Sequence, residues 1–379
     1  MSADPKAAFS RLRAAMGTRL HFGAHARPPE PDAAREEALR AWDDPSPDRG
    51  GAAARAAARE RAAGLLRWPD PALIAAASTA HELLARLLSC LPVGRDPRVL
   101  TTESEARDSA RLLARLEEDG ARVERVLVEP FGTFADRLLS AARSGAHDLI
   151  LVSHVFDDTG LRVRDDLLAA LAARAPLGAI VAVDGRHAMG FFPVDLSGAA
   201  ERAFYLARAG PDAALLAAPP GCPLRPLDTG VLADPEGGVR APAAPVGYAP
   251  MGARFQGGDF DPAPLRRWTA GLEQLSRARL GPREVDARVR ALQEIFVRRL
   301  AERPRGPLDV SRLASLDLRE VGHFLSLRHP EAARLSRFLV DDLGVLVDAV
   351  GDRLRFGFGP HLDEADVDEL FRRLDGVGS

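Results

Sequence analysis

The sequence predicts an α/β fold with a mainly parallel sheet between helices, joined to a small α+β domain. From Leu73 to about residue 208, short apolar runs alternate with amphipathic segments of helical spacing. Alternation of this kind is typical of a parallel sheet with helices on both faces. The last third of the chain differs, because long helical patterns lead into closely spaced strands. At 379 residues, the chain is long enough for a large domain and a smaller partner.

The chain begins with a helical arm. Residues 30–66 are rich in Ala, Arg and Glu on both sides of a Pro- and Gly-rich break at 45–51, which predicts two helices and a loop. Five strands are then predicted at the apolar runs LIAAAS, RVLTT, RVERVLVEP, DLILVSHVF and GAIVAVDG. The helices between them are expected at residues 79–91, 104–119, 134–144 and 165–175.

The second half of the chain falls into two stretches. Residues 210–264 are dominated by Pro and Gly and predict loops with short antiparallel strands. Helices follow from residues 265 and 282, and the C-terminus predicts strand, helix, two strands and a final helix. We therefore expect an N-terminal arm, part of the small domain, at 1–59, a large α/β domain at 60–265 and a C-terminal small α+β domain at 266–379.

Composition excludes several classes of function. The net charge of -3 and the interspersed arginines give no broad attraction to nucleic acid or anionic lipid, so neither is an expected partner. The two cysteines are far apart in sequence and form no CxxC pair, which fits a reducing compartment. No run of about 18 apolar residues occurs, so no membrane span is predicted. We expect a cytoplasmic protein.

The chain contains a single lysine, Lys6, because 50 of its 51 basic side chains are arginine. The codon bias of a GC-rich genome would explain this scarcity. Lys6 lies in a polar N-terminal stretch that we expect to be frayed, which makes it a poor candidate for holding a cofactor. A permanently protonated guanidinium cannot form the Schiff base for which some cofactors need a lysine amine.

Polar residues follow four of the predicted strands, at the sheet edge where α/β proteins bind ligands. The four segments are residues 78–82 (STAHE), 101–105 (TTESE), 153–160 (SHVFDDTG) and 184–187 (DGRH). Together with FYLA at 204–207 and RLRFGFG at 353–359, this ordered set resembles the class V aminotransferases, in particular the kynureninase-like members. These enzymes depend on pyridoxal 5'-phosphate (PLP) and have the PLP-transferase type I fold. The resemblance covers about residues 20–375.

The resemblance implies roles for individual positions. Thr79 and Ala80, at a helix start, correspond to a site for the cofactor phosphate, although a plain N-cap would explain Thr79 as well. Asp184 corresponds to the carboxylate that keeps the pyridinium nitrogen protonated. Arg355 corresponds to a clamp for a substrate carboxylate, with a solvated strand residue as the alternative. Further cofactor contacts are implied for Arg107, Asp158, His187 and Tyr205.

The sequence also departs from the family pattern. The segment after FYLA lacks the expected aromatic-lysine-aromatic signature, so the Schiff-base position is deleted or replaced near residues 208–212. Ala106 and Arg107 stand where an aromatic or histidine would stack on the cofactor ring. A carboxylate, Asp157 or Asp158, replaces a neutral amide, and Asp259 would repel the phosphate.

These departures lead to a primary hypothesis and two alternatives. The first is a catalytically degenerate homologue that binds no cofactor covalently and keeps a ligand-binding or partner role, as a homodimer or a heterodimer with an active paralogue. The second is an enzyme that uses non-covalent PLP, its amine form (PMP) or another ligand on a carboxylate substrate, with His187 as acid or base. The third is a structural protein, or a metal-dependent one at Asp157 and Asp158, although no metal site is predicted. The loop pair His21 and His25 lacks acidic ligands nearby.

Overall fold

The computed structural model describes residues 5–46, 48–92, 94–234, 245–303 and 307–376. Its centre is a seven-stranded sheet with the strand order β2-β8-β7-β6-β5-β3-β4. All neighbouring strands are parallel except β8, which is antiparallel to both β2 and β7. The strands are β2 (Ile74–Ala77), β3 (Arg98–Thr102), β4 (Arg122–Val126), β5 (Leu149–Ser153), β6 (Ile180–Asp184), β7 (Ala203–Arg208) and β8 (Ala214–Ala217).

Helices cover both faces of this sheet, as the alternating pattern predicts. Along β5, Leu149 and Leu151 belong to one hydrophobic cluster, whereas Ile150 and Val152 belong to another. Successive side chains of a strand point to opposite faces, so both faces of β5 are buried. The helices of this part are α3 (Gly51–Leu66), α4 (Ala80–Leu88), α5 (Arg107–Glu118), α6 (Phe134–Ser144) and α7 (Asp165–Arg174).

The last third of the chain forms an antiparallel sheet with the order β11-β12-β9 and a hydrophobic cluster of its own. The N-terminal arm joins it, because β1 (Leu20–His21) pairs with β10 and Phe22 is buried in that cluster. The helix α2 (Asp32–Trp42), which follows α1 (Ser10–Met16), packs against α8. The remaining elements are α8 (Ala263–Arg277), α9 (Pro282–Glu302), β9 (Phe324–Arg328), α10 (Ala332–Asp341), β10 (Val345–Leu346), β11 (Asp348–Val350), β12 (Arg353–Gly357) and α11 (Glu364–Asp375). The boundaries at residues 59 and 265 stay predictions.

Three local expectations are corrected. The helix expected at 104–119 begins at Arg107, because Ser104 and Glu105 turn inward and hydrogen-bond Thr102. Only one strand, β8, is present in the described part of residues 210–264, although short antiparallel strands were expected there. Lys6 is not frayed. It lies 8 % exposed in a 3-10 helix at Pro5–Phe9.

The amine of Lys6 is held at the start of the last helix. Its Nζ lies 2.6 Å from Asp363 Oδ2 and 2.8 Å from Asp366 Oδ2. These two carboxylates form the capping box of α11, and a cation between them relieves their mutual repulsion. The one lysine of the chain therefore has a structural partner. In the described part of the chain, no helix is both long and apolar enough to cross a membrane.

Candidate functional site

A cavity of about 280 Å³ lies beyond the carboxyl ends of β6 and β7. Ligands of open α/β sheets bind at this edge, because the loops and helix starts that follow the strands surround it. Most of its lining is charged or titratable. The residues are Arg107, Arg186, Arg208 and Arg355, with Asp108, Asp157 and Asp348, and with His25 and His187.

Asp184 ends β6 and is held by a guanidinium two residues further along the chain. Arg186 Nε lies 3.0 Å and 2.9 Å from the two oxygens of Asp184, and Arg186 Nη2 lies 2.6 Å from Oδ2. The Arg186 amide and the Ser109 hydroxyl donate two longer hydrogen bonds to the same carboxylate. Burial alone would raise the pKa of Asp184, but the charge of Arg186 brings it below its ordinary value. Asp184 is therefore an ionised and already paired carboxylate.

Arg355 is also fully engaged. Its Nε donates to Asp348 Oδ1 at 2.9 Å, and its Nη1 lies 3.1 Å from Asp157 Oδ1. The same two carboxylates accept hydrogen bonds from imidazoles, at 2.7 Å from His25 Nε2 and 3.0 Å from His187 Nε2. Burial lowers the pKa of both histidines, to about 4 for His25, and the carboxylates offset this only in part. Both imidazoles are therefore neutral near pH 7.

Behind the cavity wall, Glu105 is a buried carboxyl group. Its oxygens accept hydrogen bonds from Thr102 Oγ1 at 2.7 Å and from Ser153 Oγ at 2.6 Å. Burial raises its pKa to about 7, against the opposing effect of these hydrogen bonds, and the charge of Asp184 adds to the rise. Burial therefore favours the protonated form of this group.

Arg208, at the end of β7, is a half-buried cation whose contacts differ from those of Arg186 and Arg355. Its Nη1 donates to the carbonyl of Ala26 at 3.2 Å. No carboxylate in the described part of the chain lies within ion-pair distance of its guanidinium, whereas Arg186 and Arg355 each have two such partners. Burial and the charge of Arg186 lower the pKa of Arg208. An added anion could form an ion pair with this guanidinium without displacing a carboxylate of the protein.

The structure brings some of the predicted site residues together. Arg107, His187 and Arg355 line the cavity, and Asp184 lies behind Arg186. Four others do not line it: Thr79, Ala80, Asp158 and Tyr205. Thr79 is the N-cap of α4, where its Oγ1 accepts from the Glu82 amide at 3.1 Å, and Ala80 is the first residue of that helix.

Asp158 and Tyr205 have internal partners instead. Asp158 accepts hydrogen bonds from Ser104 Oγ at 3.1 Å and the Thr159 amide at 2.7 Å. The hydroxyl of Tyr205 lies 2.8 Å from Nδ1 of buried His154. The Tyr205 ring packs so closely against the backbone at Gly185 that a Cβ on this glycine would lie 2.1 Å from the ring.

Sequence reasoning missed six residues of this site and its support, namely His25, Glu105, Asp108, Arg186, Arg208 and Asp348. His25 was weighed only as a metal ligand, since its partner Asp348 is more than 300 residues away. Arg186 lies inside the recognised Asp-Gly-Arg-His motif and could have been noticed there. Arg208 lies where the missing lysine segment begins, which is the one signal that marked it.

The residues present do not fit PLP in the way that the type I fold holds it. No lysine lines the cavity, and the only lysine amine of the chain is bound by Asp363 and Asp366. The carboxylate that would face the pyridinium nitrogen already faces Arg186. Among the described residues, no group of three His, Cys, Asp or Glu side chains is arranged to hold a metal ion.

Solved structures resemble the whole chain. A mutant of C-DES with glycine covalently linked to the PLP cofactor matches with a TM-score of 0.81 and 18 % identity, over 97 % of this chain and 98 % of that one. The cystine C-S lyase C-DES with its product cysteine persulfide gives 0.81 and 18 %, over 95 % and 98 %. The cysteine desulfurase CsdA of Escherichia coli gives 0.79 and 19 %, over 99 % and 98 %.

Sequence comparison adds nothing to this, because no protein-family model matches the chain and no curated protein matches it either. The structural likeness extends over nearly the full length of both partners in each comparison. The α/β fold predicted from the sequence is therefore confirmed, and it is the PLP-transferase type I fold. At this level of identity the likeness concerns the fold alone.

Proposed function

We propose that this chain is a catalytically degenerate homologue of the class V, kynureninase-like aminotransferases, which forms no internal aldimine and uses its cleft to bind a small ligand. The observation that carries the proposal is the pairing of Asp184 with Arg186. In a PLP enzyme, this carboxylate stabilises the protonated ring of the cofactor. Here a guanidinium supplies the positive charge, within 2.6–3.0 Å.

Two further features support the same conclusion. The arginine that would clamp a substrate carboxylate, Arg355, is already bound by Asp157 and Asp348. The amine needed for covalent attachment is missing from the cavity lining. Binding of a cofactor ring at Asp184, clamping of a substrate carboxylate by Arg355 and attachment to a lysine would each require contacts other than those present.

A covalent trapping experiment tests the proposal. The purified protein is incubated with PLP, reduced with borohydride, and mapped by peptide mass spectrometry. Non-specific labelling by PLP should be low, because Lys6 and the terminal amine are the only primary amines in the sequence. The matched control is Lys6→Arg, which keeps a cation for Asp363 and Asp366. We expect no stoichiometric adduct in either protein.

The alternative, an enzyme with non-covalent PLP or PMP, is favoured by the position of His187 and Arg355 on one open cavity. It predicts that equilibrium dialysis recovers one equivalent of PMP per chain and that Asp184→Asn abolishes this binding. Turnover of an amino acid with added PLP, lost in the same variant, would overturn the degenerate assignment. The expected homodimer, or heterodimer with an active paralogue, remains part of the proposal and is read from the mass in solution.

A further inference from the structure

We propose that Arg208 and the apolar groove beside it bind a small monocarboxylate whose apolar body has about six carbons. The groove has a volume of about 120 Å³ and opens next to the charged cavity. Arg208 lines both spaces. The inference rests on the proposed function, since it takes the end of β7 to be free of a covalent cofactor.

The groove is shaped for a hydrocarbon group. Its walls include Met189, Phe191, Trp268, Leu272 and Leu275. An enclosed apolar cavity of ~150 Å³ accommodates benzene, so a half-open groove of this size suits a short branched, linear or aryl group. Burying such a group removes apolar surface from water on both sides.

One wall of the groove is held in place by an aromatic stack. Phe191 is stacked on buried His323, with ring centroids 3.7 Å apart and planes 5° from parallel. The groove therefore exists before a ligand arrives, which reduces the entropy lost on binding.

Charge identifies the head group. Arg267, at the same groove, is already paired with Glu30 and Asp212, whereas Arg208 has no carboxylate partner in the described part of the chain. A carboxylate on Arg208 would form a charge-assisted, bidentate contact. A single guanidinium carries one positive charge, which one carboxylate balances.

A dianion such as phosphate fits less well. Arg186 and Arg355 are already paired with aspartates, and Arg107, which has no ion pair in the described part of the chain, lies on the exposed first turn of α5 next to Asp108. Asp108, Asp157 and Asp348 also line the cavity and would repel a second negative charge. The geometry therefore favours a monoanion with an apolar body over a phosphorylated compound.

Calorimetric titration of the full chain without PLP tests the inference, with acetate, butyrate, hexanoate and hexanamide as probes. From butyrate to hexanoate, we expect the Kd to fall about three- to fourfold for each added methylene. Hexanamide should bind about tenfold more weakly than hexanoate, or worse, because it lacks the charge that Arg208 recognises. This comparison needs no variant, so it holds even if a substitution disturbs folding.

Variants then locate the site. Arg208→Gln should weaken hexanoate binding about tenfold or more, whereas Arg111→Gln, on the exposed face of α5, should leave it unchanged. Equal binding of hexanoate and hexanamide, an unaffected Arg208→Gln variant, or tighter binding of inorganic phosphate than of hexanoate would each overturn the inference. A PLP adduct in the trapping experiment would refute the proposed function instead, so the two failures are distinguishable.

Discussion

Replacing Glu105 with glutamine should make the stability of the protein less sensitive to alkaline pH. Burial raises the pKa of Glu105 from its ordinary value of 4.5 to about 7. A group whose pKa is raised on folding contributes stability that is complete below the unfolded pKa and is lost as pH rises through the folded pKa. At about 1.4 kcal/mol for each pKa unit, the wild-type protein should lose about 3 kcal/mol between pH 4.5 and 8.5 through this group alone.

Glutamine keeps the shape and can satisfy the same neighbours. Its oxygen can accept from Thr102 Oγ1, and its amide can donate to Ser153 Oγ, in place of the contacts now at 2.7 Å and 2.6 Å. Other titrating groups are common to both proteins and cancel when the two are compared. The quantity of interest is therefore the difference in free energy of unfolding between wild type and variant.

The assay is urea unfolding followed by tryptophan fluorescence at several pH values from 4.5 to 8.5, at one protein concentration. As pH rises across this range, the free energy of unfolding of Glu105→Gln should increase by about 3 kcal/mol relative to that of wild type, mostly between pH 5 and 8. The control is Glu118→Gln, where the side chain is 72 % exposed. A difference between Glu105→Gln and wild type that stays constant with pH would refute the conclusion that Glu105 is buried in its protonated form.

Three further predictions concern the site and its supports. Arg186→Met should destabilise the protein by about 3–5 kcal/mol in urea unfolding, because it leaves Asp184 buried and unpaired. Adding Asp184→Asn to this variant should recover much of the lost stability. A destabilisation below about 1 kcal/mol would contradict the pairing of Arg186 with Asp184. Gly160→Ala should lower the melting temperature more than Gly178→Ala, since both have left-handed φ values but only the first Cβ would lie 2.7 Å from a carbonyl of β9. His25→Asn should make the free energy of unfolding less sensitive to acid pH. Burial lowers the pKa of this histidine from 6.5 to about 4, so the wild-type protein should lose about 3 kcal/mol of stability as pH falls through that interval.

Much of the fold was predictable because it is encoded locally. The parallel strands β5 and β6 are apolar runs that alternate with amphipathic helices, and their approximate positions followed from the pattern alone. Thr79 was recognised as a helix start, and the structure makes it the N-cap. The inward turn of Glu105 was missed, because a polar residue next to a helical pattern normally extends the helix.

The site was harder to predict, because charged side chains acquire their meaning from partners that are distant in sequence. The sequence marked Asp184 and His187 by their place after an apolar strand, but it gave no sign that Arg186, which lies between them, pairs with Asp184. Only the packing of α5 beside β6 places Asp108 and Ser109 around the Arg186 guanidinium and turns it back onto Asp184.

By itself, the sequence determined the α/β class, the strands that end at the candidate site, and the presence of a single lysine at position 6. Hydrophobic periodicity and residue identity are properties of the chain, and no folding is needed to observe them. Tertiary structure alone decided that Lys6 pairs with Asp363 and Asp366, and that Arg208 is left without a carboxylate partner in the described part of the chain. Coulombic and hydrogen-bonding interactions act over a few ångströms of space, so which charges are paired and which are left for a ligand depends on how the folded chain brings distant segments together.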